Sequence, residues 1–340
     1  MTEIEKKLSS IYSDKDINQI YLSGRKGYWS NLSKAQNEKF TKLLEESDAR
    51  TAVQSVIPQF EDMIFSEKRE ASLEFLGHEK PGVCIDYGCM WGVLSVGMAK
   101  RGHHVIAVDQ TYQSLQFLKV RAEEEKLDNI HVVQDDIKKV NFSNFAHYAL
   151  VNGVLEWIPI LEEVDVSEYY RGGQSKKIDN SMPRDMQFKF LRTVQESLKA
   201  KGKMLLTIEN RHCYQYYMGR KDPHANLLFT TFLPRCISNI ISQVIHRKKY
   251  RNYIYSFSEL KNLVLSSGFK QCKMYMAFPD YHFPELILPY SSGGILQYDK
   301  YPNKNRITQK QKITYYIEYI ITKFFRGRYF APAIILVAEK

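Results

Sequence analysis

A doubly wound α/β fold around a mostly parallel sheet is predicted by three observations. Short apolar runs alternate with helical stretches from residue 83 onward, glycines stand where the first of these runs turns into a helix, and the chain ends on a continuous apolar run, Pro332 to Ala338. With 340 residues, 44% hydrophobic and 25% charged, the chain has ordinary globular composition and ample length to bury a core.

From Lys34 to Phe75 apolar residues recur at helical spacing, Phe40 with Leu43 and Leu44, then Val53 with Val56 and Ile57, and only Pro58 interrupts them. Residues 1–80 are therefore expected to form a helical N-terminal cap. After the turn Lys80-Pro81-Gly82 come strand Val83 to Tyr87, helix Gly92 to Lys100, strand His104 to Val108, helix Gln113 to Lys126 and strand Ile130 to Val133. A strand at His147 to Val151 follows, then a Gly, Ser and charge-rich loop at residues 171–180, a helix from Pro183 to Leu198 and a strand at Lys203 to Ile208. Beyond an irregular aromatic stretch, residues 209–250, a helix near Ser256 to Ser267 stops at Gly268 and a strand runs from Phe269 to Ala277. With the terminal run, the expected sheet has seven strands.

Residues 279–330 separate the last two strands as an insertion. Its segment Pro279 to Pro284 is expected as a lid over a substrate. A helix near Gln309 to Phe325 carries Ile313, Tyr316, Ile317, Ile320, Ile321 and Phe324, with lysines around them. That helix suits packing on the sheet, and it also suits a peripheral membrane contact or a lipid-linked acceptor.

Charge is distributed unevenly. The total is +10, yet residues 1–200 carry 26 basic and 30 acidic side chains (−4), whereas residues 201–340 carry 22 and 8 (+14). Fifteen of the 23 tyrosines also lie after residue 200. A basic, aromatic second part favours an anionic or ring-bearing partner. The five cysteines, at 84, 89, 213, 236 and 272, are odd in number and never spaced CxxC, which argues against a disulfide framework or a cysteine zinc site, and no metal is expected. The polar N-terminus and the lack of any run near ~18 apolar residues point to a cytoplasmic protein without a membrane span.

The chemistry is concentrated in Val83-Cys84-Ile85-Asp86-Tyr87-Gly88-Cys89-Met90-Trp91-Gly92. Glycines at a strand-to-helix turn let backbone approach a ligand, and amides at a helix N-terminus can face it. Seventeen residues after Gly92, Asp109 ends the next strand, where a carboxylate can accept both hydroxyls of a ribose. A tight turn alone would also account for the glycines, but the pair of features suggests a nucleoside-containing cofactor.

In these residues the sequence resembles the class I S-adenosylmethionine-dependent methyltransferases, whose first motif is usually DxGxGxG and whose second strand usually ends in an acidic residue. The resemblance covers about residues 80–278 and the last strand, and it implies a methyltransferase domain over 81–278 and 331–340. It implies S-adenosyl-L-methionine as cofactor, held by Asp86, Gly88, Cys89, Met90, Gly92, Asp109, Gln110, Asp135, Asp136 and Asn152. A solvated helix cap would equally explain the Asp135-Asp136 pair. Gly153-Val154-Leu155-Glu156-Trp157, followed by Ile208-Glu209-Asn210-Arg211, looks like bacterial methyltransferases associated with cell-surface polysaccharide synthesis. Met90 departs from the family, which usually has its middle glycine there. A side chain at that position is expected to crowd the cofactor or to force a different turn.

On the acceptor side, the resemblance brings in Glu156 and Trp157, and the crevice beyond the ends of strands four and five brings in Asn210 and Arg211. Arg235 could hold a phosphate or uronate with its fork, Tyr255 could stack on a sugar, and His224 is the first candidate general base with Glu209 second. Packing accounts equally well for Glu156, Trp157 and Tyr255; a turn-capping role would explain His224, and a salt bridge Glu209. The expected acceptor is a small molecule or glycan, anionic or lipid-linked. Nucleic-acid methylation is the alternative raised by the +14 second part. A non-catalytic cofactor-binding protein is the alternative raised by Met90.

Overall fold

The computed structural model describes residues 2–24, 32–77, 80–160, 182–292, 309–324 and 327–340. The loop expected at residues 171–180 lies outside them, as do residues 293–308 of the insertion and the end of its helix at Phe325. The described residues fall into two units, one within 1–151 and 196–203, the other within 152–160, 182–195 and 204–340.

In the first unit, helix α1 (Glu3–Ile11) starts from a capping box in which Thr2 and Glu5 satisfy each other's backbone, and it buries Ile4 and Leu8. Strands β1 (Asp14–Lys15) and β2 (Tyr21–Leu22) follow. Helices α2 (Lys34–Glu46), α3 (Ala49–Val56) and α4 (Glu61–Phe65) lead into a 3₁₀ stretch, Glu67–Leu76. Ser33 and Asp48 cap the first two of these, and Pro58 opens the short turn before α4. Then β3 (Val83–Tyr87), α5 (Val93–Lys100), β4 (His104–Asp109), α6 (Tyr112–Glu124), β5 (Ile130–Gln134) and β6 (Ala146–Asn152) alternate. Their order across the sheet is β1-β2-β5-β4-β3-β6, parallel except for the β1–β2 pair. Strand β3 therefore lies between two neighbours, where its residues Cys84 to Tyr87 are fully buried.

Helix α7 (Pro183–Ser197) and strand β7 (Leu198–Glu209) contribute to both units. The second unit contains α8 (Tyr214–Tyr217), α9 (Arg235–His246), α10 (Phe257–Ser266), β8 (Gln271–Phe278), β9 (Leu286–Pro289), α11 (Gln309–Phe324) and β10 (Ala333–Glu339). The strand order is β7-β10-β8-β9. Strand β10 runs antiparallel to β8, from Ala333 opposite Ala277 to Glu339 opposite Gln271, and buries six consecutive residues. Among the described residues no helix is long and apolar enough to cross a membrane.

Among the described residues the architecture is a mixed ten-stranded α/β one rather than the mostly parallel seven-stranded one expected. Three strands account for the difference. β1 and β2 are two residues each, too short to show alternation, and β2 is recruited by the open edge of β5. β9 ends in Pro289 and lies among turn residues, so its sequence resembles a loop; as the outermost strand on β8 it tolerates a proline that an inner strand would not.

Helix α9 also lies inside the stretch taken as irregular. Its polar Ser238 and Ser242 face inward while Ile240, Val244 and Ile245 are exposed, the reverse of the usual pattern.

Candidate cofactor and acceptor sites

The turn between β3 and α5 holds three residues in the left-handed region, Gly88 at φ 75°, Met90 at φ 47° and Gly92 at φ 70°. The N–H groups of Gly88 and Cys89 both donate to the Val108 carbonyl at 2.8 and 3.1 Å, which fastens the turn to the end of β4. A Cβ at Gly92 would lie 2.2 Å from Leu118 Cδ1, so a side chain there would have to displace Leu118 and would be strained at φ 70°, independently of any ligand.

Met90 keeps the left-handed backbone that a glycine would supply, and its thioether side chain packs against the apolar cluster of Phe40, Leu44, Val53, Ile57, Trp91 and Phe117. The turn keeps its left-handed backbone at Met90, and the side chain is partly buried against the N-terminal helices. A non-glycine residue in this region costs about 1–2 kcal/mol, which the burial of part of a methionine offsets.

Asp109 sits where β4 ends. Its Oδ2 accepts the Met90 N–H at 2.9 Å and its Oδ1 the Thr111 N–H at 2.9 Å, so the carboxylate is positioned by the turn it would serve. Burial pushes its carboxyl up, against the pull of these backbone donors. Asp86, also buried, accepts from Ser95 Oγ at 2.7 Å; burial raises it to about 7. The Gln110 carbonyl accepts from Gln134 Nε2 at 3.1 Å. Asp135 is buried with both carboxylate oxygens engaged, by Tyr12 Oη at 3.0 Å and by the Asp136 N–H at 2.7 Å, while Asp136 caps the Lys138 N–H at 3.0 Å. The predicted Gly88, Cys89, Met90 and Gly92 thus share one turn, Asp86 and Asp109 stand beside it at strand ends, and the Asp135-Asp136 pair takes part in internal contacts.

In the second unit, Asn152 accepts from Thr207 Oγ1 at 2.5 Å. Beyond it, Glu156, Glu209 and His224 converge. His224 Nε2 lies 3.6 Å from Glu156 Oε1 and 3.7 Å from Glu209 Oε2, and the His224 ring packs edge-on against Trp157 at 4.9 Å. His224 Nδ1 is 3.2 Å from Asp222 Oδ1, whose partner oxygen accepts from Tyr250 Oη at 2.7 Å. Burial pushes the Glu209 carboxyl up, and the neighbouring Glu156 adds to this against His224. Burial pulls His224 down, but Glu209, Asp222 and Glu156 together hold it well above the ordinary imidazole range. Within the same unit the Pro279 to Pro284 segment brings Tyr281 to Gly153, where a Cβ would meet the phenol oxygen at 2.5 Å.

Asn210, Arg211 and Tyr255 are taken up by internal partners, and Arg235 in part, its buried Nη1 making no hydrogen bond. Asn210 Nδ2 donates to the Tyr329 and Ala331 carbonyls at 2.7 and 2.8 Å. Arg211 donates to Glu259 at 2.8 Å and to the Thr231 and Leu233 carbonyls at 3.0 Å. Arg235 donates to the Ile254 carbonyl and covers the Tyr253 ring, and Tyr255 donates to Gln187. Arg251, from the basic run after α9, is buried on the Pro159 carbonyl. Sequence reasoning missed Asp222 and Tyr250 as supports of His224; the Asp222-Pro223-His224 spacing was the available signal, since two residues of turn bring a carboxylate back to an imidazole.

Residues 84–171 match a family model described as a methyltransferase domain. No curated protein sequence matches the chain. Among solved structures, the chain is similar to phosphoethanolamine N-methyltransferase 2 of Haemonchus contortus, in complex with phosphomonomethylethanolamine and S-adenosylhomocysteine, at 15% identity over 88% of this chain and 60% of that one, with a TM-score of 0.47. It is similar to the 1,6-didemethyltoxoflavin-N1-methyltransferase of Burkholderia thailandensis at 12% identity over 92% and 93%, TM-score 0.42. A methyltransferase of Aquifex aeolicus aligns at 11% identity over 67% and 92%, TM-score 0.40. The chain spans 60% of the length of the Haemonchus protein.

Proposed function

We propose that this chain, an S-adenosylmethionine-dependent methyltransferase by the domain matched in residues 84–171, methylates a hydroxyl of a sugar or glycoconjugate in surface-polysaccharide biosynthesis. The observation that carries the cofactor half is the left-handed turn from Gly88 to Gly92 with Asp109 bonded to it. These residues fit the group in two respects: the Met90 side chain packs against the apolar cluster, and the Asp109 carboxylate retains lone pairs for a ribose. When bound, S-adenosylmethionine supplies a methyl on a sulfonium, open to in-line displacement. Asp86, Cys89 and Gln110 complete the first unit's part of the set assigned to it.

A hydroxyl acceptor loses a proton as it is methylated, so the chain needs a proton acceptor as well as a position for the oxygen. The cluster in the second unit offers one. Glu209 has 15% of its side chain exposed, against 5% for His224 and 1% for Glu156, so it is the group an acceptor reaches. That reverses the order expected from the sequence: Glu209 takes the proton, and His224, braced by Asp222, positions it. Support for a sugar comes from the likeness of the segments at 153–157 and 208–211 to polysaccharide-associated enzymes. A nucleic-acid acceptor is less favoured because Arg211 and Arg251 of the basic second part are spent on buried carbonyls.

Calorimetric titration with S-adenosylmethionine and S-adenosylhomocysteine tests the cofactor half: micromolar binding is expected, weakened at least tenfold in Asp109→Ala. Labelled-methyl transfer to saccharides and to amine analogues of the same sugars tests the acceptor. Transfer confined to the amines would overturn the hydroxyl assignment.

A further inference from the structure

We propose that Glu156, Glu209 and His224 hold a divalent metal ion. The three side chains offer ligand atoms all within 4.8 Å of one another. Two ligands each about 2.1 Å from a metal at a tetrahedral angle lie about 3.4 Å apart; the His224 Nε2 separations of 3.6 and 3.7 Å need only small closure to meet that value.

The buried carboxylate oxygens of the cluster accept no hydrogen bond, and His224 Nε2 faces them only at ion-pair distance, 3.6 and 3.7 Å. Glu156 is fully buried and neither of its oxygens accepts a hydrogen bond, and the same holds for Glu209 Oε2. Buried carboxylates in that condition are costly unless a cation meets them. The surroundings supply too little positive charge. Three carboxylates, Glu156, Glu209 and Asp222, are faced by the two imidazoles of His224 and, beside Glu209, His282.

The imidazole is also presented as a metal ligand would be. Asp222 stands at Nδ1 and is itself held by Tyr250, an outer carboxylate that sets the tautomer with Nδ1 protonated and turns the Nε2 lone pair toward the two glutamates. An ion there takes the place of a proton on Nε2. Two carboxylates and one imidazole suit manganese, ferrous iron or zinc better than calcium, and they leave coordination positions for water or an acceptor oxygen. Binding of the ion does not depend on the methyl-transfer reading. Only its use does, since an ion-bound hydroxyl loses its proton more readily.

The test is titration of chelator-treated full-length protein with Mn²⁺, followed by loss of the free-ion paramagnetic resonance signal, and with Zn²⁺ by calorimetry. One ion per chain is expected, bound at least tenfold more weakly in Glu156→Gln and in His224→Asn, with circular dichroism confirming that both variants fold. Asp222→Asn, which keeps all three ligands, is expected to weaken binding about 10- to 100-fold. No binding to the wild type, or binding untouched by Glu156→Gln and His224→Asn, overturns the proposal. If S-adenosylhomocysteine still binds in that case, the methyl-transfer reading stands with Glu209 alone as proton acceptor; failure of that titration would sink the reading separately.

Discussion

The turn from Gly88 to Gly92 and the cluster of Glu156, Glu209 and His224 differ in how the chain assembles them. The turn is made by consecutive residues, and its shape follows from local backbone rules: left-handed dihedrals, a strand behind and a helix ahead. The cluster draws on three separate segments, the loop after β6, the end of β7 and a loop beyond α8, and its shape depends on tertiary packing. Consequently the turn should be fragile to backbone changes and tolerant of charge changes, while the cluster should behave the opposite way.

The largest expected effect lies in the cluster. Glu209→Gln keeps shape and removes the carboxylate, so turnover should fall at least a hundredfold while S-adenosylhomocysteine affinity stays within about twofold. Parallel loss of cofactor affinity would show that the variant disturbs more than the acceptor chemistry and would blur the distinction between the two regions. Next in size is Gly92→Val. With φ at 70° and Leu118 Cδ1 2.2 Å from any Cβ, the substitution combines backbone strain with overpacking, for a loss of about 2–5 kcal/mol in denaturant unfolding. A loss below about 1 kcal/mol would mean that α6 yields and that the turn is less constrained than its geometry implies.

These contrasts explain what the sequence disclosed. Strand β3 has the bounds its run predicts, Val83–Tyr87, because a strand with neighbours on both sides is apolar apart from the buried Asp86. Gly88, Gly92 and Asp109 were legible because each is required by its own local geometry. Glu156 was named through family likeness and Glu209 from its place at a strand end, and nothing local to them announces that their oxygens meet at one imidazole. Asn210, Arg211 and Tyr255 were drawn toward the acceptor by their position after strand β7 or by their chemistry. Whether a polar side chain there faces a substrate or a carbonyl of its own chain depends on loops such as Thr231 to Leu233, whose course periodicity does not encode. Helix α9 escaped notice for a related reason: its inward serines and outward isoleucines invert the pattern that marks a buried helix face.

A pH measurement sharpens the comparison on the side of the turn. Burial raises Asp86 from the 3.8 of a free carboxyl to about 7, so the folded state keeps the proton longer than the unfolded chain does. The associated stability is complete below the unfolded value and is lost as pH rises from about 4 to about 7. Asp86→Asn should flatten that part of the thermal-stability profile, because an amide retains the Ser95 partner without titrating. An unchanged slope would assign the pH dependence elsewhere.

The smallest effect expected, and the most discriminating for the turn, is that of Met90→Gly. Glycine relieves about 1 kcal/mol of left-handed strain but removes a side chain packed against the cluster around Phe40, Trp91 and Phe117, and it loosens the unfolded chain. The three contributions nearly cancel, so stability should change by no more than about 1 kcal/mol. Cofactor affinity should move by less than about threefold, since the methionine points into the N-terminal helices and its N–H, which glycine retains, is what holds Asp109. A tenfold or larger gain in S-adenosylhomocysteine affinity would place the Met90 side chain in the path of the cofactor and give the family's missing glycine a cost that the packing of this chain does not offset.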